Sequence, residues 1–169
     1  MHALRSFTVA LASLALAACY ARQPDGPPDI KAIYSAALAD TGVERPPRDV
    51  ALDLRALEDS GVYSGTDVLP DSIGSYLLAR GLISEICPLS PSESGRLICI
   101  PDRARHTLYL SPPFQETEGY RVYTSGRLVK PRSDTSSTPL NPLGGSDVCH
   151  VRWSRGKWRL DKCEVRSVG

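Results

Sequence analysis

The dipeptide Arg155-Gly156 sits between two runs of alternating character, Asp147 to Ser154 and Lys157 to Arg166. A two-residue connection with glycine in second place closes a β-hairpin. Closing it there pairs residues outward from the turn, so Trp153 faces Trp158 and Val151 faces Leu160 on one side. His150, Arg152 and Arg159 then fall on the other side. A slip of one residue would turn every side chain to the wrong face. The hairpin therefore demands a sheet with one apolar face, and something to cover the tryptophans.

The same register has a consequence for cysteine. Simple alternation carries Cys163 away from the face that holds Cys149. One bulge near Asp161-Lys162 shifts the pairing by a residue and brings Cys163 opposite Cys149. A bulge and a Cys149–Cys163 bridge are thus expected together. Cys87 and Cys99 border a turn of Pro, Ser and Gly (PLSPSESG) between the apolar runs Leu82–Cys87 and Leu97–Ile100, and they form a second local pair. The two bridges close loops of 13 and 15 residues, each worth ~3 kcal/mol on the chain-entropy model. Paired cysteines indicate an oxidising compartment. None of the four has the close CxxC spacing of a zinc or redox site, so no metal is expected.

The fifth cysteine, Cys19, follows Leu16-Ala17-Ala18 at the end of an apolar run that starts at Phe7, behind Arg5. Positive charge, a short apolar stretch and small residues before a cut are the parts of a secretory signal. The apolar run is shorter than the roughly 20 residues a spanning helix needs. Leu16-Ala17-Ala18-Cys19 resembles the lipobox of bacterial lipoproteins. The resemblance implies cleavage before Cys19 and a thioether-linked diacylglycerol on its sulfur, usually with an N-acyl chain such as palmitate. It also implies attachment to the cell envelope, at the outer membrane of a two-membrane source because Tyr20 rather than aspartate follows. Residues 1–18 are then a signal peptide and 19–28 a lipidated cysteine with a Pro/Gly-rich tether. Residues 29–169 form a single domain.

Within that domain Asp29 reads as an N-cap for a helix with Ile30, Ile33, Tyr34, Ala37 and Leu38 at helical spacing, ending near Gly42. Arg48 to Leu57 alternates, which predicts a half-buried strand with Val50, Leu52 and Leu54 inward and Ala51, Asp53 and Arg55 outward. Glu58 to Asp67 reads as loop. Pro70 opens a second helix through Ile73, Tyr76, Leu77 and Ala79 that stops at Gly81. Leu82–Cys87, Leu97–Ile100, His106–Leu110 and Tyr120–Thr124 read as strands, and Ser125 to Ser146 as one long loop.

The expected class is α+β: two N-terminal helices packed on a mainly antiparallel, curved sheet, stapled by two disulfides. The order helix, strand, helix, strands and the tryptophan-bearing last hairpin resemble NTF2-like and cystatin-like folds. Such folds serve enzymes, binders and scaffolds alike.

After removal of residues 1–18 the formal charge is zero, so nothing global attracts nucleic acid. Charge is local instead. Residues 150–166 carry a net +4 and residues 48–71 a net −4. The basic hairpin is suited to lipid phosphates or an anionic envelope polymer. There is no HExxH, Walker A loop, GxSxG or GxGxxG, and no catalytic residue is assigned. Two histidines follow Cys19. His106 shares parity with Leu108 and Leu110 and points inward at a strand end, so His106, Tyr109 and Tyr120 are the candidates for a ligand cleft. A His106, Asp102 and serine set drawing on Ser133 to Ser137 is the one nucleophilic arrangement to weigh. His150 belongs to the polar face of the hairpin.

These residues point to a membrane-anchored, non-catalytic binding domain with no cofactor beyond the lipid at Cys19. Its partners would be the membrane, through that lipid, and an envelope protein or anionic polymer. A small-ligand-binding or hydrolytic domain with a cleft near His106 is the alternative.

Overall fold

The structure is a computed structural model that describes residues 26–39, 49–57, 63–91, 97–135 and 144–168. The expected signal peptide, Cys19, the expected tether as far as Asp25, the expected helix end near Gly42 and residues 136–143 of the expected long loop lie outside the described residues.

Helix α1 (Ile30–Leu38) begins as its sequence predicts, with the Asp29 carboxylate accepting from the Ala32 N–H at 3.1 Å. It buries Ile33, Tyr34 and Ala37. Strands β1 (Val50–Asp53), β2 (Arg55–Leu57) and β3 (Tyr63–Val68) come before helix α2 (Asp71–Ala79). The helices are therefore not both N-terminal. The second is a crossover between β1 and β4 (Glu85–Ile86), which lie parallel and adjacent. Parallel neighbours cannot be joined by a tight turn, and α2 with the β2–β3 hairpin supplies the length. Gly81, at φ +68°, ends α2, with the Gly81 N–H donating to the Leu78 carbonyl and Leu82 N–H to that of Leu77. That paired closure requires a left-handed residue just past the helix.

The chain continues through β5 (Leu89–Pro91), β6 (Leu97–Cys99), β7 (His106–Leu110), β8 (Phe114–Glu116), β9 (Gly119–Leu128), β10 (Gly144–Ser154) and β11 (Lys157–Val168). The principal sheet has the order β11-β10-β9-β7-β1-β4, with β8 also paired to β9. It is mixed: β1 is parallel to both β4 and β7, and the remaining pairs are antiparallel. Glu58 to Asp67 is not all loop, because β3 pairs with β2 in a small hairpin. The loop expected from Ser125 is shortened from both ends by the long strands β9 and β10.

Strands β7 and β8 lie along one edge of β9, separated by Ser111-Pro112-Pro113. The two prolines have no N–H with which to continue a ladder. Ser111 bridges the gap. Its N–H donates to the Tyr123 carbonyl at 2.9 Å, and its Oγ accepts from the Tyr123 N–H at 2.8 Å. The buried Tyr34 hydroxyl of α1 donates to the Ser111 carbonyl at 2.9 Å, tying helix to sheet.

Both disulfides form, Cys87–Cys99 and Cys149–Cys163. Cys149 stands opposite Cys163 because Asp161 is an extra residue between the pairs His150–Lys162 and Val151–Leu160, the expected bulge. A second irregularity, at Arg166, was not expected from the sequence.

The helices cover one face of the sheet, where Ile33, Tyr34, Ala37 and Leu77 meet Leu52, Leu108, Leu110, Val122, Val151 and Trp158. On the other face Leu57, Tyr123 and Val148 make a smaller cluster with Tyr109 and Phe114. Burial on both faces overturns the half-buried reading of residues 48–57. Every residue of β1 and β2 is buried, Ala51 and Asp53 completely. A strand with sheet neighbours on both sides and cover above and below has no outward face. Asp53 and Arg55 are accommodated because they satisfy each other. The carboxylate accepts from the Arg55 backbone N–H at 3.0 Å and from its Nε at 2.9 Å, and the guanidinium also bonds the second carboxylate oxygen and the Leu97 carbonyl.

Candidate functional site

The final hairpin turns as the dipeptide dictates, with Arg155 at φ 51° and Gly156 at φ 75°. These are the positive angles of the tight turn whose twist matches its strands. Trp153 and Trp158 stand opposite each other beside the turn. Their rings meet edge to face at 5.4 Å, and Trp158 meets Tyr120 of β9 in the same manner at 5.3 Å. Trp158 is buried and Trp153 half-buried. The Trp153 Nε1 is shielded from solvent and has no hydrogen-bond partner among the described residues.

These indoles form one wall of a cleft of about 330 Å³. Gly26, Pro27 and Pro28, the cap residue Asp29, Ala32 of α1, and Gly156 with Lys157 of the turn complete its lining. Aromatic walls with a few polar groups are the usual composition of a binding cleft. Its members are far apart in sequence and meet because α1 packs across β10 and β11.

The three residues proposed from the sequence for a cleft do not share one. His106 pairs with Leu128 on β9, and Tyr120 lies eight residues farther along that strand, about 26 Å at the rise of a β-strand. Tyr120 belongs to the helix-side core and supports the tryptophan cleft from behind. Tyr109 points to the opposite face, packed on the Leu57 cluster. Burial pushes its phenol above the ordinary range, and the nearby Asp53 carboxylate adds to the push. His106 is half-buried, with Nδ1 3.4 Å from an oxygen of Asp49, whose other oxygen accepts from the Arg105 N–H. Asp102 is engaged elsewhere: an oxygen lies 3.7 Å from Arg132 Nε, and its carbonyl accepts from the Ser133 N–H. The carboxylate beside His106 is thus Asp49, and Ser136 and Ser137 lie outside the described residues.

The basic hairpin divides in two. On its body the charges are neutralised: Arg152 pairs with Glu118 and Asp161, and Lys162 with Glu164. His150 Nδ1 lies 2.9 Å from Glu116, whose other oxygen is 3.7 Å from Arg121. Arg166 stacks on the Tyr123 ring. Glu116 comes from β8, a three-residue strand with no clear sequence signal. Toward the turn, Arg155, Lys157 and Arg159 have no carboxylate partner among the described residues. The acidic segment is likewise partly consumed inside the fold, since Asp53 is buried on Arg55 and Asp49 caps Arg105.

Among the described residues, no helix is long and apolar enough to cross a membrane, and no three His, Cys, Asp or Glu side chains converge as metal ligands. What the structure assembles is an aromatic cleft beside a cationic turn, lined in part by the first described residues, Gly26 to Asp29. No family model, curated protein or solved structure matches the chain.

Proposed function

We propose that this protein is a bacterial envelope lipoprotein, held by lipid on Cys19, whose domain binds an envelope component at its tryptophan cleft and performs no chemistry on it. One observation carries the reading: Gly26, Pro27 and Pro28, the last residues of the expected tether, themselves line the aromatic cleft. A lipid on Cys19 would hold that end of the domain closest to the membrane, where envelope components are concentrated. The two disulfides suit a compartment outside the cytoplasm.

Mass analysis of the N-terminal peptide from envelope fractions tests the anchor, which requires a diacylglyceryl group on Cys19. Cys19→Ser should release the chain from membranes or block its processing; unchanged fractionation would sink the reading. For the cleft, a photo-crosslinker in place of Lys157 should give a discrete adduct in intact envelopes, and one in place of Arg132, on the β9–β10 connection, should not.

A ligand-binding or hydrolytic site near His106 is the second reading, and the Asp49 carboxylate at 3.4 Å favours it. Its test is direct. His106→Ala would abolish ligand binding or turnover there, while Trp153→Ala would leave both intact.

A further inference from the structure

We infer that the tip of the last hairpin docks on anionic phospholipid headgroups, so that the tryptophan cleft faces the bilayer. The inference deepens the reading above and rests on the lipid at Cys19. Three independent features converge on it.

The first is reach. Gly26 is seven positions after Cys19, and seven extended residue steps span at most about 24 Å. Gly26 lines the same cleft as Gly156 and Lys157, so the hairpin turn lies at the tethered end. The His106–Leu128 end of the sheet stands farther from the anchor by most of the length of β9.

The second is charge. Along the hairpin, cations are neutralised by Glu118, Asp161 and Glu164 until the turn approaches. Arg155 and Lys157, within and beside the turn, are exposed and unpaired among the described residues. Turn residues need no cation for folding: Arg155 occupies a positive-φ position that Asn or Gly would fill with less strain. Each cation near an anionic bilayer strengthens attachment about fivefold.

The third is the indole pair. Half-buried Trp153 stands immediately behind the cationic turn, backed by the buried Trp158, and an indole partly open to solvent is suited to the headgroup region. The tether makes the encounter intramolecular, so a contact too weak to act in free solution becomes effective.

The test uses the chain from Cys19 onward with both bridges formed, its Cys19 thiol coupled to a maleimide-headed lipid in vesicles. On phosphatidylglycerol vesicles, tryptophan emission should move to shorter wavelength and acrylamide quenching should fall, relative to phosphatidylcholine vesicles. Arg155→Asn with Lys157→Gln should weaken the docking equilibrium about 25-fold, the product of two fivefold terms. Arg132→Gln, remote from the turn, should leave it unchanged. Equal emission on the two lipids, an undiminished response in the double variant, or an equal loss with Arg132→Gln would each overturn the inference. Because coupling is chemical, the result does not depend on lipidation in the cell. An unmodified Cys19 in envelope fractions would defeat the anchor reading alone.

Discussion

Removing the guanidinium of Arg55 while keeping the length of its side chain isolates one buried charge. Asp53 is wholly inaccessible, and Arg55 is only 9% exposed. In Arg55→Met the carboxylate would keep the backbone N–H of residue 55 and lose the guanidinium donors that hold both of its oxygens. Breaking a buried ion pair from one side costs about 3–5 kcal/mol, because the remaining charge has neither water nor a partner. Against a total stability of about 5–15 kcal/mol, that is a large fraction. At about 2–4 °C per kcal/mol for a domain of this size, the melting temperature should fall by about 6–20 °C. The companion variant, Asp53→Leu with Arg55→Met, removes both charges and should regain most of the loss, since an apolar pair of similar volume is often as stable as the ions it replaces. Far-UV circular dichroism during thermal and urea unfolding measures all three proteins. A loss below about 1 kcal/mol in Arg55→Met, or a double variant no better than the single one, would refute the argument that the pair is buried and mutually dependent.

Two further outcomes follow from local geometry. A Cβ on Gly119, at φ +146°, would lie 2.1 Å from the Val151 carbonyl oxygen. Gly119→Ala should therefore cost about 2–4 kcal/mol in urea unfolding, whereas Gly156→Ala, with open space around its Cβ, should cost about 1–2 kcal/mol for the left-handed backbone alone. Tyr34→Phe removes a buried donor to the Ser111 carbonyl and should cost about 1 kcal/mol near neutral pH. Burial holds the Tyr34 phenol well above its ordinary range, so the native state keeps this proton to higher pH than the unfolded chain does. The associated stability is present below the ordinary phenol range near pH ~10 and is lost as pH rises above it. Unfolding at pH 8 and pH 11 should show a steeper alkaline loss in the parent than in Tyr34→Phe.

The cleft is half legible in the sequence. Parity and turn type alone put Trp153 and Trp158 on one face, but Gly26, Pro27 and Pro28, which line the cleft with them, carry only the signature of a tether. Nothing in Gly26-Pro27-Pro28 signals that α1 will carry it across the sheet to the hairpin. His106, Tyr109 and Tyr120 lie apart for a related reason. Parity along one strand assigns a face, yet separation within a sheet depends on strand order and register. Leu128 opposite His106 sets that separation, and it could not be read before β7 and β9 were known to pair.

The same division runs through the fold. The Arg155-Gly156 turn, the Asp161 bulge, the two disulfides and the Asp29 cap are decided by residues within about 15 positions of one another, where chain connectivity restricts the geometry. Sequence by itself determined these. The burial of β1 on both faces, the Asp53–Arg55 pair inside it, the crossover role of α2 and the closing of the tryptophan cleft by Pro27 and Pro28 were decided only by the tertiary structure. Each depends on cover supplied by distant segments, and desolvation by such cover, not local pattern, determines whether a charge must find its partner or an indole its wall.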